Sequence, residues 1–245
     1  MIDIHSHILP GIDDGSPDLF ETIKMANMAV KSGVTKMVAT PHCNIPRSYQ
    51  NYFGKEYIHV FEKVKDALRR ENIPLELLPG MEVFVTEDVP KLIVDNKIMP
   101  INKTHYILIE FGFNEDPDFA NHMIKRIKEV KAKPVIAHAE RYKFIQDNPD
   151  ILRQWKKDGI TVQMNKGSFQ GKFGPNASKI AYMALEENLL EVIASDTHSS
   201  FRRTPVMDDA FFELSLNYDE LYLKVLFNEN PRRICLDKPV LGKRN

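Results

Sequence analysis

Short apolar runs recur along this chain of 245 residues, and most hand over within a few residues to a histidine or a carboxylate. Ile4 is followed by His5 and His7, Met37-Val38-Ala39 by Thr40-Pro41-His42, and Ile107-Leu108-Ile109 by Glu110. Val135-Ile136-Ala137 leads into His138-Ala139-Glu140-Arg141, and Val192-Ile193-Ala194 into Ser195-Asp196-Thr197-His198. Glu82 sits in the strand-like region Pro79-Gly80-Met81-Glu82-Val83. Uniformly apolar runs such as 106–109 are those of parallel strands covered on both faces. Longer amphipathic stretches separate the runs, so the pattern predicts an α/β chain of about seven βα units. In a barrel of parallel strands the C-terminal ends open onto one face, where these polar residues would converge.

The spacing predicts strands at 2–4, 36–39, 75–78, 83–85, 106–109, 134–137, 160–164 and 190–194. Helices are expected at 16–32, 87–95, 117–131, 149–157 and 175–187, within 49–71 with a break or start near Gly54, and over most of the chain from 205. For the first helix, Ser16-Pro17 reads as N-cap and first helical residue, and Gly33 as the stop. In a regular strand, Asp3, His5 and His7 share one face and Ile2 and Ile4 the other. Two imidazoles on one face suit a divalent metal, with a nearby carboxylate to orient a ring.

Taken singly, each of these residues has an ordinary alternative. A lone His-x-His is often two surface histidines, and His42, His138 or Asp196 alone could be a satisfied polar residue at a strand end. The coincidence of five histidines and three carboxylates at strand ends is what points to two or three metal ions. Glu110 is the strongest single case, because a carboxylate buried there must be compensated. His59 and His122 lie in helical stretches and His105 precedes a strand, so all three are expected at the surface or in packing.

Lys and Arg number 33 against 34 acidic residues, a net charge of −1 without the basic excess of a nucleic-acid binder. No apolar run is long enough to span a bilayer, and the N-terminus lacks a signal-peptide pattern, so a cytoplasmic protein without membrane insertion is expected. A single domain over 1–245 accommodates the 43% hydrophobic content. Cys43 and Cys235 alone make no disulfide framework. A cysteine-dependent tyrosine phosphatase needs an arginine six residues after its cysteine; positions 49 and 241 hold Tyr and Leu instead. The Asp-x-His at 3–5 opens the calcineurin-type signature, but no G-D-x-x-D or G-N-H-[DE] follows, and neither a G-x-S-x-G elbow nor a Walker A loop occurs.

Asp3-Ile4-His5-Ser6-His7, Pro10-Gly11-Ile12-Asp13-Asp14-Gly15, Thr40-Pro41-His42, Gly80-Met81-Glu82, Glu110-Phe111, His138-Ala139-Glu140-Arg141 and Ser195-Asp196-Thr197-His198 together resemble the PHP (polymerase and histidinol phosphatase) superfamily. More narrowly they resemble its bacterial protein-tyrosine phosphatases of the CpsB and YwqE type, over nearly the whole chain. The resemblance implies a distorted (β/α)7 TIM-like barrel, the PHP fold, with a trinuclear cluster usually filled by manganese, and phosphotyrosine as substrate. It further implies His5, His7, His42, Glu82, Glu110, His138, Asp196 and His198 as ligands, with Glu82 and Glu110 bridging. Arg141 and Arg203 match the family's phosphate-binding arginines, Arg203 less securely because Arg202 is adjacent. The implied partner is the tyrosine-rich tail of a bacterial tyrosine kinase controlling capsule or exopolysaccharide synthesis.

Such residues permit metal-assisted hydrolysis of a phosphomonoester, in which cations acidify water and offset phosphoryl charge. Guanidinium forks would hold the phosphoryl oxygens. A phenolate, with an intrinsic pKa of about 10, leaves readily, so a strong general acid is dispensable. Mixed His and carboxylate ligation suits manganese, iron, zinc or cobalt. Asp13 and Asp14 could orient neighbouring groups or assist proton transfer, or simply form an Asx-type turn beside Gly11 and Gly15. Tyr49, Tyr52 and Phe53 could flank an opening for a flexible substrate, or pack in the core. The alternatives are a small-molecule phosphatase such as a histidinol-phosphate phosphatase, a metal-dependent amidohydrolase, and a non-catalytic regulator that binds phosphotyrosine or metal. The arginine of His-Ala-Glu-Arg fits the amidohydrolase poorly, and the complete ligand set argues against the regulator.

Overall fold

A computed structural model describes residues 1–242; the last three positions of the expected 1–245 domain lie outside the described residues. The strands are β1 (Ile2–Ser6), β2 (Lys36–Ala39), β3 (His42–Cys43), β4 (Glu76–Pro79), β5 (Glu82–Phe84), β6 (Tyr106–Glu110), β7 (Lys133–Ile136), β8 (Thr161–Asn165) and β9 (Val192–Ala194). All their pairings are parallel, in the orders β1-β2-β4 and β3-β5-β6-β7-β8-β9. β2 and β3 are one stave interrupted at Thr40-Pro41, and β4 and β5 another interrupted at Gly80-Met81. Seven staves therefore curl round. They meet where the Asp196 N–H donates to the His5 carbonyl at 3.0 Å and the His7 N–H to the Thr197 carbonyl at 2.9 Å. The result is the distorted (β/α)7 barrel that the family resemblance implies.

Helices pack outside it: α1 (Leu19–Lys31), α2 (Lys55–Arg70), α3 (Val89–Val94), α4 (Pro117–Glu129), α5 (Lys143–Asp147), α6 (Asp150–Lys157), α7 (Lys166–Phe169), α8 (Pro175–Glu186), α9 (Asp208–Ser215), α10 (Glu220–Lys224) and α11 (Asn230–Cys235). Met25, Val64, Ile127 and Leu152 of these helices join Met37, Ile107, Ile109 and Ile136 of the strands in the larger apolar cluster. A smaller cluster fills the barrel, with Ile2, Ile4, Val38, Leu78, Leu108, Val135 and Ala194, closed by Ile234 and Cys235 of α11. Leu108 pairs laterally with Glu82 and Val135, so the three share the inward face. One pleat beyond Leu108 that face presents Glu110. The barrel is thus apolar at its base and polar at the C-terminal end.

Two local expectations are corrected. First, Asp3 pairs with Met37 and Ser6 with Ala39, so Ile4 and His5 together face Val38, a β-bulge. The bulge breaks the alternation: Ile2 and Ile4 stay in the inner cluster, His5 turns inward too, and Asp3 takes the opposite face. There Asp3 accepts from the Ser195 N–H at 3.1 Å and the Ser195 hydroxyl at 2.5 Å. Second, the N-cap of α1 is Asp18, whose carboxylate accepts from the Glu21 N–H, not Ser16. The Ser16 hydroxyl is buried against Asp18 O and the Thr22 hydroxyl, so the turn starts two residues later than Pro17 suggested.

Candidate active site

At the C-terminal end of the barrel the structure brings His5, His7, His42, Glu82, Glu110, His138, Asp196 and His198 into one buried cluster, His42 being slightly more open. Each arrives from a different stave end, apart from the pairs on β1 and after β9. His138 and Asp196 have left-handed backbones, φ 34° and 51°, which reverse the chain directly after β7 and just beyond β9. Non-glycine residues in that region store on the order of 1–3 kcal/mol each, strain that collects at functional sites.

The tautomers follow from what each ring's outer nitrogen meets. His5 Nδ1 lies 2.9 Å from Gln163 Oε1, an oxygen that also accepts the His138 N–H at 3.2 Å, which fixes the amide's orientation. His7 Nδ1 lies 2.8 Å from Asp13 Oδ2, and His198 Nδ1 3.0 Å from the Asp196 carbonyl. All three acceptors require a proton on Nδ1, which leaves each Nε2 lone pair aimed at the cluster. There His5 Nε2 is 3.0 Å from Glu82 Oε1, His7 Nε2 is 3.1 Å from Glu82 Oε2, and the two nitrogens are 3.3 Å apart. His42 Nδ1 lies 3.1 Å from Glu82 and 2.9 Å from Glu110, while His138 Nε2 takes the other oxygen of each, at 2.9 and 3.7 Å.

Lone pairs thus face lone pairs. His42 Nδ1, Glu82 Oε2, Glu110 Oε1, Asp196 Oδ1 and His198 Nε2 are buried without a hydrogen-bond partner. A buried carboxylate left so costs several kcal/mol unless a charge compensates it. Divalent cations are the compensation this donor set fits, and three groupings among the described residues could each hold one: His5-His7-Asp196, His42-Glu82-Glu110, and His7-Asp14-His42-His198. Burial would raise Glu82, but His5 and His42 hold it well below the usual carboxylate range. Burial would likewise raise Asp196, yet His5 and Arg203 hold it down. Conversely, burial would depress His7, and the Asp13 carboxylate lifts it well above the ordinary histidine value, so without a cation Nε2 takes the second proton that a metal ion would displace. Glu82 and Asp196 therefore stay ionised despite being dry.

Asp196 faces two ways. Oδ1 lies 3.4 Å from His5 Nε2, whereas Oδ2 accepts from Asn165 Nδ2 at 2.6 Å, lies 3.5 Å from Arg141 Nη1, and pairs with Arg203 Nη2. Both arginines therefore stand at the edge of the cluster. Arg202 is exposed and its N–H donates to Ser199 Oγ, so Arg203 is the one that reaches the site. Asp13 forms both the turn and the imidazole bond: Oδ1 accepts the Gly15 N–H at 2.9 Å. A Cβ on Gly15 would lie 2.2 Å from the His7 carbonyl oxygen, so only glycine lets this loop close over His7. Asp14 is half-exposed, 3.3 Å from His42 Nε2 and 3.5 Å from His198 Nε2, and the closeness of those two rings lowers its pKa.

Tyr49 lies nearly parallel to the His42 ring, centroids 6.0 Å apart, whereas the Tyr52 hydroxyl bonds Asn44 and Phe53 packs edge-on to Tyr57. His59, His105 and His122 are exposed and outside the cluster. Cys43 and Cys235 are buried, and burial pushes both thiols up to about 12, so neither supplies a thiolate near neutral pH. No helix among the described residues is long and apolar enough to cross a membrane. Sequence reasoning missed Gln163 and Asn165, which orient His5 and Asp196, and the rings of Phe113 and Phe173, which lie on Arg141. The period-two signal Gln163-Met164-Asn165 at the end of an otherwise apolar run was available.

Residues 1–236 match the family model for capsular polysaccharide synthesis, CpsB/CapC. The tyrosine-protein phosphatase YwqE of Bacillus subtilis is 34% identical over 243 residues, 98% of this chain and 93% of that one. A crystal structure of YwqE from Bacillus subtilis and CpsB from Streptococcus pneumoniae, described as metal-dependent tyrosine phosphatases, aligns at TM-score 0.91 and 32% identity, covering 99% of this chain and 97% of that one. The histidinol phosphate phosphatase of Lactococcus lactis aligns over 100% of both chains at TM-score 0.55 with 10% identity, a likeness of fold alone.

Proposed function

The chain belongs to the CpsB/CapC family, and from that premise we propose that it is a metal-dependent tyrosine-protein phosphatase that hydrolyses phosphotyrosine in a protein segment. The observation that carries the reading is the meeting of five imidazoles and three carboxylates with two guanidinium groups around one buried centre. His5, His7, His42, Glu82, Glu110, His138, Asp196 and His198 would hold the three ions, with Glu82 and Glu110 among the ligands. Manganese is the assigned metal; iron, zinc and cobalt accept the same donor types. When bound, such cations supply Lewis acidity that brings water into the neutral range and offsets phosphoryl charge.

The chain's own residues do the rest. Arg141 and Arg203 bind the non-bridging oxygens and stabilise charge that grows in the transition state. Asn165 and Asp196 keep those two forks turned to the centre. Asp14, held ionised beside His42 and His198, is a weak base and acts at the rim by orienting those two rings. A phenolate leaving group with a pKa of about 10 departs without a strong acid. Tyr49, on the outer face of His42, contacts the incoming segment. The partner assigned is the tyrosine-rich tail of a bacterial tyrosine kinase acting in capsule synthesis, met in the cytoplasm by a single domain spanning 1–245. Steady-state assays on matched peptides should give phosphotyrosine turnover well above phosphoserine turnover; equal turnover would remove the tyrosine specificity.

A further inference from the structure

Arg141 is held by more than its carboxylate partner. Its guanidinium lies over two phenyl rings, 4.5 Å from the centre of Phe113 and 4.4 Å from that of Phe173. The Arg203 guanidinium stands 5.8 Å from the same Phe173 ring. Phe173 is half-buried, yet it belongs to neither apolar cluster of the fold. It sits instead against bare backbone: a Cβ at Gly167 would come within 2.9 Å of Phe173 Cε2. A large ring left out of the core and applied to two cations has a role that core packing does not explain.

Both guanidinium groups turn to the same oxygen, Asp196 Oδ2, and two like charges converging there repel one another. The negative face of an aromatic ring attracts each of them and offsets that repulsion. Stacking also removes rotamer freedom from a long side chain, so the fork is oriented before any anion arrives. We infer that Phe173 is a positioning residue that fixes Arg141 and Arg203 at the separation needed to read one phosphoryl group, with Phe113 as a second ring against Arg141. The inference rests on the phosphatase reading for its purpose, since it names the anion the two forks share.

Calorimetric titration of inorganic phosphate into manganese-loaded protein tests it, with kcat and KM for a phosphotyrosine peptide measured alongside. Phe173→Leu should weaken phosphate binding roughly tenfold, the size of a pair of cation–π contacts. Phe173→Tyr, which keeps the ring face, should restore it, with thermal unfolding unchanged in both. In an Arg203→Ala background the Phe173→Leu penalty should shrink to about threefold or less, because coupled residues are not additive. Wild-type phosphate binding by Phe173→Leu, failure of Phe173→Tyr to rescue, or a full penalty without Arg203 would each overturn the inference. Phosphate binding that depends on Phe173, in a protein that releases nothing from phosphotyrosine, would instead overturn the phosphatase reading and leave the positioning role standing.

Discussion

Asp13 divides two oxygens among three donors, the His7 imidazole, the His42 N–H and the Gly15 N–H. It thereby couples the loop before α1 to the His7 ring and to the backbone of His42. Removing the acceptor frees His7 to rotate or change tautomer, and outer-sphere partners of this kind are worth roughly 10–100-fold in metal affinity. Asp13→Ala should therefore weaken manganese binding by about that factor in competition with a chromophoric chelator; unchanged affinity would contradict the role. At this scale the sequence was legible where charge or a metal-type donor marks the residue. It left Asp13 open between turn and orienting partner because one carboxylate serves both purposes. Gln163 escaped because an uncharged amide at a strand end looks like surface polarity until its two donors, His5 and His138, are seen to converge on it.

The staves themselves show where periodicity is a guide and where it fails. Strands at 36–39 and 106–109 were readable from uninterrupted apolar runs, and α2 begins directly after Gly54. The β1 bulge was not, because a single extra residue leaves the composition unchanged while re-aiming His5. At the opposite end of the barrel, the turn after α11 is fastened to β6 and β7 through Asp237. Its carboxylate lies 2.6 Å from His105 Nδ1 and 3.0 Å from Lys133 Nζ. Desolvation would raise Asp237, but His105 and Lys133 hold it down to about 2. A depressed carboxylate adds stability that is present above its unfolded pKa, near 4, and is lost as pH falls through 2. Asp237→Asn should lower stability at pH 6–7 by no more than about 1 kcal/mol, since the pair is partly exposed and screened. The difference from wild type should vanish below about pH 2 in urea titrations; a gap that persists there would contradict the ion pairing.

For the whole molecule, the order of runs and the polar residue after each one predicted about seven βα units with polar residues gathered at strand ends, while the distorted barrel was what the family resemblance implied. What a linear pattern does not carry is which donors face which: Glu82 lies within reach of four histidines only once the staves close through His5 and Asp196. The aromatic support of the arginines was equally hidden, because Phe113 and Phe173 lie in connecting segments with no periodic signal. The central claim is that a cation-filled cluster and its two arginines act together on phosphotyrosine. The most direct measurement is phosphate release from a phosphotyrosine peptide by metal-stripped protein before and after manganese is restored, beside His5→Ala and Arg141→Ala. The account predicts no turnover when stripped, recovery with manganese, and loss of that recovery in both variants. Turnover that survives stripping, or none in the restored protein, would contradict it.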